Sequence, residues 1–338
     1  MTKTESRHEK DVKAEVLAES ERRDLEAAKR AKRFRILVCI DGSDESYRGL
    51  RYAVKLSGGQ DTDIVLLYVR PIDQGLRSGG LQLRVARENM LNWGLDLPGV
   101  KYLQKGMDLL EELGRMRGEA ASEFTHIDVD GDPLGDHKTV YQAEDGNSVV
   151  LKLKTAPDIA SGVLDQYELG PYNLIILGGS SRWRGMAENF WDPAVAEKVA
   201  VHAPCSVLVS RDLDVGHGHL LCTDGSENSM QMIRADALIA SRCECPISLI
   251  SVALEEDGKA QAEDNVARAK AMLDEMNIEV VETFVRVGNP VEEITEIGVD
   301  YSVIVVSDTG KTGLTRFFMG SVAFKVLNTA HNSVMIAR

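Results

Sequence analysis

A single pattern occurs twice in this chain, and it constrains the fold more than any other feature. Arg35-Ile36-Leu37-Val38-Cys39-Ile40 is a short apolar run that ends in Asp41-Gly42-Ser43, and a helical stretch follows over 45–57. Leu220-Leu221-Cys222-Thr223 ends in Asp224-Gly225-Ser226 in the same way, with a helical stretch over 227–241. The next apolar runs also match: 64–69 against 247–252, 174–177 against 303–306, and the closing runs that end at 209 and 336. Self-similarity on this scale means that one structural unit is used twice. At 338 residues the chain is long enough for two such cores.

Within each copy, short β-branched runs alternate with helical segments. That order implies a parallel sheet covered by helices on both faces. Right-handed crossovers then restrict the topology to an open, doubly wound sheet. The expected fold is α/β: two tandem doubly wound open parallel five-stranded sheets of Rossmann-like type. In the second copy strands are expected near 220–223, 247–252, 279–285, 302–306 and 333–336. Val266, Ala269, Leu273 and Met276 mark the helix at 262–276.

The first copy is longer between its second and fourth strands, which implies an insertion at about 71–147. Leu103, Met107, Leu110 and Leu113 mark one amphipathic helix there. Turn signals at Asp130-Gly131-Asp132-Pro133 and Asp145-Gly146-Asn147 suggest a β-hairpin over 125–154. The expected organisation is a charged arm over 1–34, a first domain over 35–211 and a second over 216–338. The arm carries ten basic and eight acidic residues and is expected to be helical or disordered.

The net charge of −14 argues against a general nucleic-acid binder, which needs a basic face. No apolar run is long enough to span a bilayer, and no secretory leader is evident in 1–34, so a cytoplasmic location is expected. The five cysteines form no regular framework, and Cys39, Cys205 and Cys222 lie in or beside strand-like runs as small buried hydrophobes. His217/His219 and Cys243/Cys245 are zinc-compatible pairs, but spacing alone does not bring them together, so no metal site is assigned. The acidic stretch 128–132 has proline where a calcium loop needs glycine. Gly310-Lys311-Thr312 lacks the earlier glycine of a P-loop. No Ser–His–Asp or Cys–His arrangement can be assembled.

The sharpest motif runs from Ser307 to Ser321 in the second copy, between a buried strand and a helix. Glycines there let the backbone turn tightly and approach a ligand, and Gly320-Ser321 would present N–H groups at a helix N-terminus. This segment resembles the nucleotide loop of the universal stress protein family, Gly-x2-Gly-x9-Gly-[Ser/Thr], with Gly310, Gly320 and Ser321 in place and Ser307 at the opening glycine. The resemblance covers nearly the whole chain apart from the arm and the insertion. It implies ATP or another adenine nucleotide as cofactor, with or without Mg2+. By the same resemblance, Asp224 would contact the ribose or base side and Val252 would offer backbone groups to the base. Ser307, Gly310, Gly320 and Ser321 would hold phosphates.

In the first copy Pro193-Ala194 stands where Gly320-Ser321 stands in the second, and Trp191 crowds the turn, so that copy is expected to be degenerate. The resemblance implies a stress-response regulator in which the two domains pack as a pseudo-dimer. A slow Mg-dependent ATPase and a nucleotide-free scaffold remain as alternatives, and pairing with a second copy or a protein partner stays open.

Overall fold

In a computed structural model of the chain, the described residues are 33–58, 61–72, 98–116, 121–129, 132–142, 146–166, 168, 170–179, 193–211, 217–308 and 319–338. Residues 1–32 of the N-terminal arm, Trp191 and Gly310 lie outside them. The first half runs β1 (Phe34–Cys39), α1 (Asp44–Leu56), β2 (Thr62–Pro71), α2 (Pro98–Glu112), β3 (Ala121–Val129), β4 (Asp132–Gln142), β5 (Ser148–Ala156), α3 (Ile159–Leu164), β6 (Leu174–Gly178), α4 (Pro193–His202) and β7 (Ser206–Ser210). The second runs β8 (His219–Cys222), α5 (Glu227–Arg242), β9 (Ile247–Ala253), α6 (Lys259–Glu275), β10 (Val280–Val287), α7 (Pro290–Gly298), β11 (Val303–Ser307), α8 (Ser321–Thr329) and β12 (Ser333–Ala337), with a 3-10 turn at Glu256–Gly258.

All of these strands share one sheet, in the order β10-β9-β8-β11-β12-β7-β6-β1-β2-β5-β4-β3. Each half contributes five parallel strands in the same spatial order, third-second-first-fourth-fifth. The halves join where β7 meets β12 antiparallel, Val207-Leu208-Val209 against Ile336-Met335-Val334. The two parallel sheets thus fuse into one.

The strands read as nearly continuous apolar runs because helices cover both faces. Ile36, Val38, Ile64 and Leu66 point into one core with residues of α1, α2, α5 and α6. Leu37, Cys39, Val65 and Leu67 point into the other with residues of α3, α4, α7 and α8. Each core draws residues from both halves.

Two features of the first half differ from the sequence expectation. The hairpin is β3–β4, and β5 is not part of it: β5 pairs parallel with β2 from Ile64↔Val149 to Pro71↔Ala156 and is the third strand of the parallel sheet. Its alternating lysines resemble an exposed hairpin arm in sequence, but Lys152 is buried against Glu168. The amphipathic helix α2 packs on β2 and β5 as α6 packs on β9 and β10. It is therefore the counterpart of α6, and the hairpin is what the first half adds among the described residues.

The seam between the halves is fastened by two arginines in reciprocal positions. Arg211, just after β7, donates to the carbonyls of Leu327 and Ala330 at the end of α8 and of Asn332 just before β12. Arg338, just after β12, donates to the carbonyls of Ala200, Val201 and Ala203 at the end of α4. The backbone N–H groups follow the same exchange, Arg211 to Ser333 Oγ at 2.9 Å and Arg338 to Ser206 Oγ at 3.2 Å. The last carbonyls of a helix have no partner within it, and a guanidinium suits them in both charge and geometry. On one face of the sheet Arg242 of α5 reaches across to Leu56 O, Thr62 Oγ1 and the ring of Phe34.

Burial lowers the Arg211 guanidinium to about 10, so this cation depends on the carbonyls that surround it. Arg211→Met should lower the stability measured by urea unfolding by about 2–4 kcal/mol, because three carbonyls lose their donor. Arg211→Lys should restore less than half of that loss, since an ammonium cannot present the same planar fork. An unchanged urea midpoint in Arg211→Met would show that the seam does not rely on this contact.

Candidate functional site

In each half the first strand ends in Asp-Gly-Ser, and that tripeptide builds a turn that caps the next helix. Asp224 Oδ1 accepts from the Ser226 N–H at 3.0 Å and from the Ser226 hydroxyl at 2.5 Å. Ser226 is the N-cap of α5 and accepts from the Ser229 N–H at 3.3 Å. Gly225 has a φ of +75°, and a Cβ there would meet the Asn265 side chain of α6. Arg268, also on α6, donates to Gly225 O at 2.7 Å, and Thr223 Oγ1 accepts from the Gly225 N–H at 3.0 Å. The turn is held from both sides.

Beside it, at the carboxyl ends of the second-half strands, lies a cavity of about 230 Å³. Thr223 and Asp224 form one wall, Ile250 and Val252 another, and Val306 and Ser307 a third, with Pro290 and Ile294 of α7 and Ser321 of α8 closing it. Strand order reverses at β8 and β11, and open α/β sheets bind ligands at such a switch point. The interior is mostly apolar, with a carboxylate and two serine hydroxyls at the edge.

The structure thus places four of the sequence-derived residues, Asp224, Val252, Ser307 and Ser321, around one cavity. Gly320 adjoins it as the N-cap of α8, and Gly310 falls outside the described residues. Helices α1, α3, α5 and α7 are each capped by a side chain, whereas α6 and α8 begin at a glycine with no side-chain cap among the described residues, and of these two only α8 borders the cavity. A helix N-terminus without a side-chain cap suits an anion. Sequence reasoning missed Thr223, Asn265, Arg268 and Ile294. Only Thr223 adjoins a recognisable motif, and the others come from helices whose pattern shows amphipathicity alone.

The first half repeats this framework in altered form. Asp41 Oδ1 accepts from the Ser43 N–H and hydroxyl, and Ser43 caps α1. Gly42 has a φ of +87°, and the ring of Tyr102 lies against it where the second half has Asn265. Gly178 stands where the second half has Ser307. A Cβ on Gly178 would lie 2.9 Å from the Ser46 N and 3.1 Å from Ser43 Oγ. Helix α4 begins at Pro193, which has no N–H to offer.

The two aspartates differ electrostatically as well. Burial raises the Asp41 carboxyl above its ordinary value, and bonds from Ser43 and Ser46 offset this only in part. At Asp224 burial also acts upward, but the Ser226 and Ser229 hydrogen bonds outweigh it and hold the group below its ordinary value. The signs for stability are opposite. Asp224 favours the folded state above the ordinary carboxylate pKa, and that contribution is lost as pH falls through its folded value. Asp41 opposes folding once ionised, so its cost is absent in acid and appears as pH rises through its folded value. Asp41→Asn should therefore raise the melting temperature at neutral pH and lose that advantage near about pH 3.5. Asp224→Asn should lower it slightly at neutral pH. Thermal melts of both variants at the two pH values check this, and matching shifts in the two variants would contradict it.

A family model described as the universal stress protein family matches residues 32–91 and 219–338. A universal stress protein of Methanocaldococcus jannaschii is 35% identical over 92 residues, 27% of this chain. That match spans about half of the relative's own length, 51%. Among solved structures, a universal stress protein from Archaeoglobus fulgidus superposes with a TM-score of 0.58 at 16% identity, covering 90% of this chain and 98% of that one. A Pseudomonas aeruginosa protein superposes with a TM-score of 0.55 at 15% identity, covering 92% and 94%. Those two likenesses bear on the fold. With the family pattern matched in both halves and over more than half of its length, the chain belongs to the universal stress protein family.

Proposed function

We propose that the second half binds ATP or a related adenine nucleotide and that the first half does not. The observation that carries this reading is the meeting of Asp224, Val252, Ser307 and Ser321 around one cavity beside an uncapped helix N-terminus. The residues present suit such a ligand. Ile250, Val252, Val306 and Ile294 offer an apolar slot for a base, and Asp224 offers a carboxylate for ribose hydroxyls. The α8 N-terminus and the hydroxyls of Ser307 and Ser321 suit phosphates.

In the first half the corresponding helix opens with proline, and Asp41 is less exposed than Asp224. Both features disfavour a phosphate and a ribose there. Nucleotide occupancy of one half would then be the signal that a stress-response regulator passes on. The proposal concerns binding, and no hydrolytic step is assigned to any residue.

Isothermal titration of the full chain with ATP, with and without Mg2+, tests it. A stoichiometry of about one per chain is expected, because one of the two crevices keeps its N–H donors. Gly320→Asp should weaken binding at least about tenfold by setting a carboxylate against the phosphates. No heat of binding up to millimolar ATP would refute the reading, and two equivalent sites would refute the assignment of the first half as degenerate.

A further inference from the structure

A second polar cluster lies within the core, away from the cavity lining. His219 opens β8 and is fully buried. Its Nδ1 is 3.0 Å from Asp236 Oδ2 on α5, and its Nε2 is 2.7 Å from the hydroxyl of Tyr52, which belongs to α1 of the first half. Asp236 and Tyr52 are buried as well. Cys243, at the end of α5, and Cys245 beyond it complete the group. Both sulfurs and a His219 ring nitrogen lie within 4.8 Å of one another. Spacing alone does not join these pairs, since β8 and the end of α5 meet only through the fold.

The internal repeat serves as a control for this cluster. Counted from Asp41 and Asp224, the first-half counterpart of His219 is Ile36 and that of Asp236 is Ala53. Both counterparts are fully buried and apolar. The fold therefore does not need a histidine or an aspartate at these places. Burying such groups costs stability unless every polar atom finds a partner, yet Asp236 Oδ1 is buried with no hydrogen-bond partner. Charge and hydrogen-bonding capacity have been brought here beyond what packing uses.

We propose that Cys243, Cys245 and His219 form a binding site for one thiophilic divalent cation of the zinc class, open when the two cysteines are reduced. Two thiolates and an imidazole form a ligand set typical of that ion. Whichever ring nitrogen takes the metal, the other remains tied, to Asp236 through Nδ1 or to Tyr52 through Nε2. Such outer hydrogen bonds orient a metal-bound histidine. The Tyr52 bond also joins the site to the first half.

In this structure the two sulfurs are joined as a disulfide, so metal binding and the disulfide exclude each other. A dithiol reductant would supply two electrons to the Cys243–Cys245 bond and itself become a disulfide. Each cysteine sulfur would take up one proton, and both protons would leave as the thiolates bind the cation. The site therefore reads redox state and metal supply together, independently of the nucleotide reading.

The test uses the full chain, reduced under inert gas with a phosphine and titrated with Co2+ as a spectroscopic stand-in for zinc. Intense visible bands of a tetrahedral thiolate complex should grow to about one equivalent, vanish on adding Zn2+, and be missing before reduction. Cys245→Ser should weaken binding at least about a hundredfold, and Asp236→Asn or Tyr52→Phe should do so by about 10–100-fold. Cys205→Ser, at a buried cysteine outside the cluster, should leave the bands intact. Reduced, folded protein that shows no thiolate bands would overturn the proposal. So would bands that persist in Cys245→Ser, or loss of the circular dichroism of the fold on reduction.

Discussion

The exchange of arginines across the β7–β12 seam is the contact on which the rest of the architecture depends. Each guanidinium leaves its own half and satisfies the last carbonyls of a helix in the other. A parallel five-stranded sheet ends in an edge with unpaired backbone groups, which would invite association. Here the two edges pair with each other, and the arginines lock the register from both sides. One chain thereby achieves what would otherwise require two. The second-half arginine also ties the seam to the cavity: Arg338 pairs with Asp308 at 2.9 Å, and Asp308 follows Ser307. The first half has Gly179 at the place of Asp308, so that position offers Arg211 no carboxylate.

Duplication followed by divergence explains why two similar crevices have different chemistry. Both halves keep the Asp-Gly-Ser turn, because it caps a helix and holds a strand end whatever else it does. What differs is the surrounding chemistry. The second half keeps an exposed, ionised Asp224 and an α8 terminus rich in N–H groups. The first half has a more enclosed Asp41, a proline at its helix start and Tyr102 over Gly42. Shared fold and separate site chemistry are therefore different layers of one sequence.

Much of this was legible from residues alone. The repeat located the strands to within about two residues and the Asp-Gly-Ser turns in place, because buried parallel strands and helix caps leave strong local signatures. The third strand of the first half was not legible. Lys152 and Lys154 break its apolar run, and only the pairing with β2 and the contact with Glu168 show why a lysine is tolerated there. The identity of α2 as the counterpart of α6 was hidden for a similar reason: amphipathic spacing shows that a helix packs, and tertiary contact decides on what. The cavity walls contributed by α7, and the meeting of His219 with Cys243 and Cys245, lie still further from sequence. They join residues whose proximity arises only from the crossover connections.

On the reading we propose, one half keeps an open nucleotide site while its twin serves as structure. Hydrogen–deuterium exchange of the full chain, with and without saturating ATP, tests it most directly because it reads both halves in one sample. Exchange should slow at residues 222–226 and 320–324 on adding ATP, with the first-half counterparts at 39–43 and 194–197 unchanged. Equal protection in both halves would contradict it, as would protection confined to the first.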